Sequence, residues 1–193
     1  MCFNDASDLA DNPGAPDFER ILAVEIRLTT ILGMIVFAAL TRLLPHPPNA
    51  TAVSAIALFA GAQIADRRLA FFVPLAALFA TDLVLGLHTG MLFVYASMAA
   101  MVLVGQILGS RPQLMKLAGA SLAGSILFFV VTNFGVFLLD GLYEKSLAGL
   151  ADCYVLAIPF FQNSVLGDLF FTAALFGAFE LLRRRVPALS PAQ

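Results

Sequence analysis

The feature that leaves this chain the fewest options is its series of long apolar runs. Segments at about 21–44, 51–65, 69–87, 91–108, 114–139 and 155–182 are each long enough, or nearly so, to cross a hydrocarbon core of ~30 Å. Lipid offers no partner to a backbone N–H or C=O, so runs of this kind satisfy themselves as helices. The expectation is an all-α integral membrane protein, a six-transmembrane-helix bundle over 21–185. A polar, disordered tail over 1–20 precedes it and a short tail over 186–193 follows. The chain is 60% hydrophobic and 12% charged, against ~45–50% apolar residues in a soluble domain. The first nineteen residues hold five acids, no Lys or Arg and no apolar core, which argues against a secretory signal.

Loop charges test the count of six. An even number of spans puts both termini and the second and fourth loops on one side. That side would hold Arg20, Arg27, Arg67, Arg68, Arg111, Lys116, Arg183, Arg184 and Arg185, leaving only Arg42 and Lys145 of the eleven basic residues opposite. The positive-inside rule then makes both termini cytoplasmic. Cys2 and Cys153 fall on opposite sides and cannot pair. A net charge of -2 leaves no basic stripe for nucleic acid. Small residues recur at four-residue spacing, as in Ala57/Gly61, Ala96/Ala100, Gly119/Ala123, Ala120/Gly124 and Ala174/Ala178, and allow close helix approach.

Polar groups gather in the outer half. The first outer loop, PHPPNAT, carries His46 and Asn49, and its three prolines preshape it as a lid over the bundle. The plainer reading of the same loop is that the prolines end the first helix while Asn49 or Thr51 caps the second. The second outer loop holds His88; the third, about 140–154, holds Tyr143, Cys153 and Tyr154, while Tyr95 and Asn133 stand near helix ends. Phe160, Phe161 and Asn163 follow, able to line a pocket as well as an interfacial belt. Asp82 and Asp168 lie inside apolar spans, where a charge costs roughly 2.5–3.5 kcal/mol unless it finds a partner or a polar cavity. Ser164, Asp168 and Thr172 form one polar stripe that must face the interior, with Asn133 or Asn163 the expected partner of the acid. His88 and Cys153 are the candidate metal ligands. No zinc-protease, hydrolase-elbow, paired-CxxC or Walker pattern occurs, so the chain does not read as an enzyme.

The stretches PHPPNATAVSAIALFAGA, LFATDLVLGLHTG, SILFFVVTNFGVFL and GLADCYVLAIPFFQNSVLGDLFF resemble the signatures of a bacterial six-helix membrane family. In size and layout that family is similar to the substrate-binding S-components of energy-coupling-factor vitamin transporters, in particular the solitary cobalamin type called BtuM. The resemblance implies a protein of the bacterial inner membrane with no built-in cofactor. It would capture a vitamin-class solute, cobalamin first, at the outer face and release it alone or on an ATPase-driven coupling module. It also implies a cobalt ligand, for which Cys153, His88 and His46 are the candidates, whereas the first helix lacks the AxxxA pattern used for docking on a coupling subunit. The competing expectation is a structural or assembly subunit of a larger membrane complex, with Asp82 and Asp168 as interhelical locks.

Overall fold

A computed structural model describes residues 17–189 and is all helical over that range. Six helices follow in order: α1 Asp17–Leu40, α2 Val53–Gln63, α3 Arg67–Leu85, α4 Met91–Leu108, α5 Leu114–Leu139 and α6 Leu147–Arg185. Short 3-10 turns at Thr41–Leu43 and Pro187–Leu189 extend the first and last. Residues 1–16, with Cys2 and most of the expected tail, lie outside the described residues.

Five of the helices are long and apolar enough to span a membrane, and α2 is not. Its eleven residues rise only about 16 Å at ~1.5 Å each. All eleven are buried, so α2 is the axis of the bundle, wrapped chiefly by α4, α3 and α6. This placement explains its uniform apolarity: with neighbours on every side there is no lipid or solvent face to encode.

Glycine sets how close α2 and α4 come. A Cβ on Gly61 would sit 2.1 Å from the Val102 carbonyl oxygen, and one on Gly105 would sit 2.3 Å from that of Leu58. The Ala57/Gly61 and Ala120/Gly124 pairs face inward as small-residue spacing suggests. Ala96, Gly119, Ala123, Ala174 and Ala178 are exposed on outer helix faces instead, and the partner surface on α4 is centred on Gly105. Phe59 closes the core with edge-on contacts to Phe176 and Phe179 at 5.2 and 5.6 Å between centroids.

The starts of α1, α3 and α5 and the ends of α2, α4 and α6 define one end of the bundle, here the base; the loops 44–52, 86–90 and 140–146 form the apex. The helix α6 is longer than its apolar run. It begins at Leu147, where Ser146 accepts from the Gly149 N–H at 3.1 Å, so Asp152, Cys153 and Tyr154 are helical and not part of a loop. Its 39 residues reach about 58 Å, beyond the ~40–45 Å of a whole bilayer. At the other terminus Leu189 is buried against the core, so the chain is still packed after Arg185.

Candidate functional site

Two buried acids organise the interior. Asp82 stands in the last turn of α3, where the helix macrodipole disfavours an anion, and is 1% exposed. The compensation comes from Arg42, which lies within the 3-10 turn after α1 and reaches back into the bundle. Arg42 Nη1 meets Asp82 Oδ1 at 2.9 Å and donates to Thr81 Oγ1 at 2.5 Å, while Tyr95 Oη donates to Asp82 Oδ2 at 2.9 Å. One arginine, one carboxylate and one phenol thus tie together α1, α3 and α4.

Asp168 lies deeper. Its Oδ2 accepts from Ser125 Oγ at 2.7 Å, with the Ser54 hydroxyl of α2 also against the carboxylate. Ser54 is in the first turn of α2, so this carboxylate faces a helix N-terminus, the favourable end of the dipole. Ser164 and Thr172 are buried with Asp168, and Thr172 donates to Ser121 at 3.3 Å, as the stripe on α6 requires. The expected partners are different, however. Asn133 donates to its own helix at Phe129 O, and Asn163 donates to Pro48 O at 3.0 Å, one turn above the acid. The serines of α5 and α2 take the role because those helices cross α6 at that depth.

The apical loop folds into the mouth of the bundle. Ala50 N–H donates to Pro47 O at 3.0 Å, with Pro48 and Asn49 between them and Asn49 at φ 64°, the pattern of a type II turn with Asn in the left-handed position. Below it the backbone of Ala50 and Thr51 rests on Gly167, where an added Cβ would lie 3.0 Å from Ala50 Cα. Asn49 and Thr51 are therefore not caps. The N-cap of α2 is Ala52, with no side-chain hydrogen bond. His46 is exposed, its Nδ1–H donating to Leu44 O at 2.6 Å.

The remaining candidates fall into separate groups. Tyr154 donates to Val130 O at 2.7 Å, and its ring and that of Phe161 both pack on Phe129. Phe160 is 44% exposed on the outer face of α6. Cys153 is buried under the Asn133 carbonyl at 3.4 Å, Tyr143 is half-buried, and His88 is exposed in the 86–90 loop. Among the described residues no three His, Cys, Asp or Glu side chains converge as a metal site. The candidates brought together are thus Asp82 with Tyr95, Asn163 with the His46–Asn49 loop, Cys153 with Asn133, and Tyr154 with Phe161 through Phe129. Arg42, Thr81, Ser125 and Ser54 are the neighbours of the two acids that sequence reading missed. An unpaired acid at the end of α3 was the one signal that called for a nearby cation.

Comparison with protein-family models matches residues 23–189 to a family of unknown function, DUF6580. Neither the curated proteins nor the solved structures yield a match.

Proposed function

We propose that this chain, which belongs to the DUF6580 family, is a membrane-embedded binding protein for uptake of a small vitamin-class solute, with cobalamin the first solute to test. The observation that carries this reading is the loop 44–52. It leaves α1 at the apex, turns at Pro48-Asn49 and descends onto Gly167, so that α2 begins inside the bundle. Irregular backbone at membrane depth is tolerated where it is enclosed by protein or lines a cavity. The Asn163 side chain fixes the loop, and His46 and Asn49 stand exposed above it.

In this reading the base faces the cytoplasm, because Arg27, Arg67, Arg68, Arg111, Lys116 and Arg183 to Arg185 lie there. The apex takes the solute from outside, in the manner of an S-component of an energy-coupling-factor transporter, alone or with an ATPase-driven module. His46 and His88, both exposed at the apex, are then more accessible to a corrin cobalt than the buried Cys153. The test is the visible absorption spectrum of the purified protein with cobalamin, run beside calorimetric titration. A saturable spectral shift supports the reading; a flat spectrum without heat removes cobalamin as the solute.

A second reading has an observation of its own. Both oxygens of Asp82 are taken by Arg42 and Tyr95, as suits an interhelical lock in a structural or assembly subunit. Stoichiometric partner chains in native mass spectrometry would favour it over solute binding.

A further inference from the structure

At the base, away from the apical loop, a cleft of about 400 Å³ opens between the start of α5 and the end of α6. Its rim is cationic. Arg111 and Arg183 line it, and Arg27 stands close enough behind Gln63 to feel the charge of both. Arg27 donates through Nη2 to Gln63 O at 3.0 Å, while its Nε is buried with no partner among the described residues. Gln63 in turn donates to Ser110 O at 3.0 Å, which pins the short loop that carries Arg111. Among the described residues Glu180 is the one carboxylate lining the cleft, and it is already engaged by Arg183 and by Arg184 Nε at 2.9 Å. Arg111 and Arg183 on the lining, with Arg27 behind Gln63, outnumber that carboxylate and leave a surplus of positive charge at the mouth.

Below the rim the walls turn apolar. They run from Leu114, 78% exposed, to Leu117 on α5, and from Gly177 to Ala173 on α6, where missing or small side chains leave a furrow toward the middle of the bundle. A free phosphate has no use for such walls, and a hydrocarbon has none for the arginines.

We infer that this cleft binds one anionic phospholipid of the cytoplasmic leaflet, its phosphodiester held by Arg111 and Arg183, with Arg27 adding its charge from behind Gln63, and an acyl chain laid along Leu114, Leu117 and Gly177. Basic pockets between membrane helices on the cytoplasmic side are suited to such head groups. The site lies at the opposite end of the bundle from the proposed solute loop and does not depend on which solute, if any, binds there.

The test is native mass spectrometry of the full chain in mild detergent, titrated with phosphatidylglycerol, phosphatidylcholine or inorganic phosphate. One phosphatidylglycerol should bind in preference to phosphatidylcholine, and the double variant Arg111→Gln/Arg183→Gln should bind it roughly thirty-fold more weakly, from about 1 kcal/mol per charge. The variant Arg67→Gln/Arg68→Gln removes the same charge at the start of α3 and should bind as the parent does. Equal loss in both variants, or equal binding of the two lipids, would overturn the site. Saturable binding of phosphate alone with the affinity of the lipid would overturn its assignment to lipid. Unfolding temperatures of both variants, measured without lipid, separate lost binding from lost folding.

Discussion

Arg42 and Asp82, on either side of α2 in the sequence, meet at 2.9 Å with their side chains 14% and 2% exposed. The arginine approaches an anion that its own helix end disfavours, so neither charge is compensated without the other. Breaking a buried pair from one side typically costs about 3–5 kcal/mol, because it strands the remaining charge. Asp82→Ala and Arg42→Ala should each destabilise by that order, and the apolar pair Arg42→Met/Asp82→Leu by less than either. Thermal unfolding can be followed by fluorogenic labelling of the buried Cys153 in a Cys2→Ser background. Additive losses in the double variant would refute the pairing.

Tyr95 gives a smaller and separable effect. Tyr95→Phe keeps the ring between the helices and removes only the hydrogen bond to Asp82 Oδ2, 2.9 Å long. A bond to a charged group is worth roughly 1.5–3 kcal/mol, so the unfolding temperature should fall by less than for Asp82→Ala. In the Asp82→Ala background the same change should have almost no effect.

The α2/α4 crossing rests on Gly61 and Gly105, whose added Cβ atoms would meet backbone oxygens at 2.1 and 2.3 Å. Backbone cannot swing aside as a side chain can, so Gly61→Ala and Gly105→Ala should each cost at least the ~1–3 kcal/mol of an overpacked core. Gly119→Ala, with nothing within 4 Å, should be tolerated. Yields of monodisperse protein from the three variants make the comparison.

These contrasts show what the sequence encodes openly. Hydropathy reports length in apolar surroundings, which is why the limits of α4 and α5 are legible and that of α6 is not. Asp152 and the Glu144-Lys145 pair read as loop, while Ser146 had already capped the helix. The inward stripe of Ser164, Asp168 and Thr172 was legible from its spacing alone. Its partners were not, because Ser54 and Ser125 reach Asp168 only through the order in which α2, α5 and α6 pack, and periodicity within one helix carries no such order. Arg42 was hidden for a similar reason. Counted as a loop charge, it is a side chain long enough to fold back into the bundle.

The apical loop links packing to the proposed binding. Asn163→Ala removes the hydrogen bond to Pro48 O at 3.0 Å, and Gly167→Val fills the seat of Ala50. Both should leave the helices intact and loosen the loop. If the loop holds the solute, affinity for cobalamin in calorimetric titration should fall roughly tenfold for Asn163→Ala, the loss of one neutral hydrogen bond of about 1–1.5 kcal/mol. Unchanged affinity would place the solute elsewhere.

Orientation decides which end would meet a solute in the proposed reading. The base carries eight basic residues whose positions lie between Arg27 and Arg185, and the apex carries Arg42 and Lys145. Arg42 is spent on Asp82, and Lys145 donates to the Phe137 carbonyl, so both apical cations are held by the fold. Single cysteines at His46, in the apical loop, and at Lys116, at the base, should differ in intact cells: a membrane-impermeant maleimide labels the first and reaches the second only after permeabilisation. The reverse pattern would turn the bundle over, setting the apical loop against the cytoplasm and the arginine-rimmed cleft against the outer leaflet.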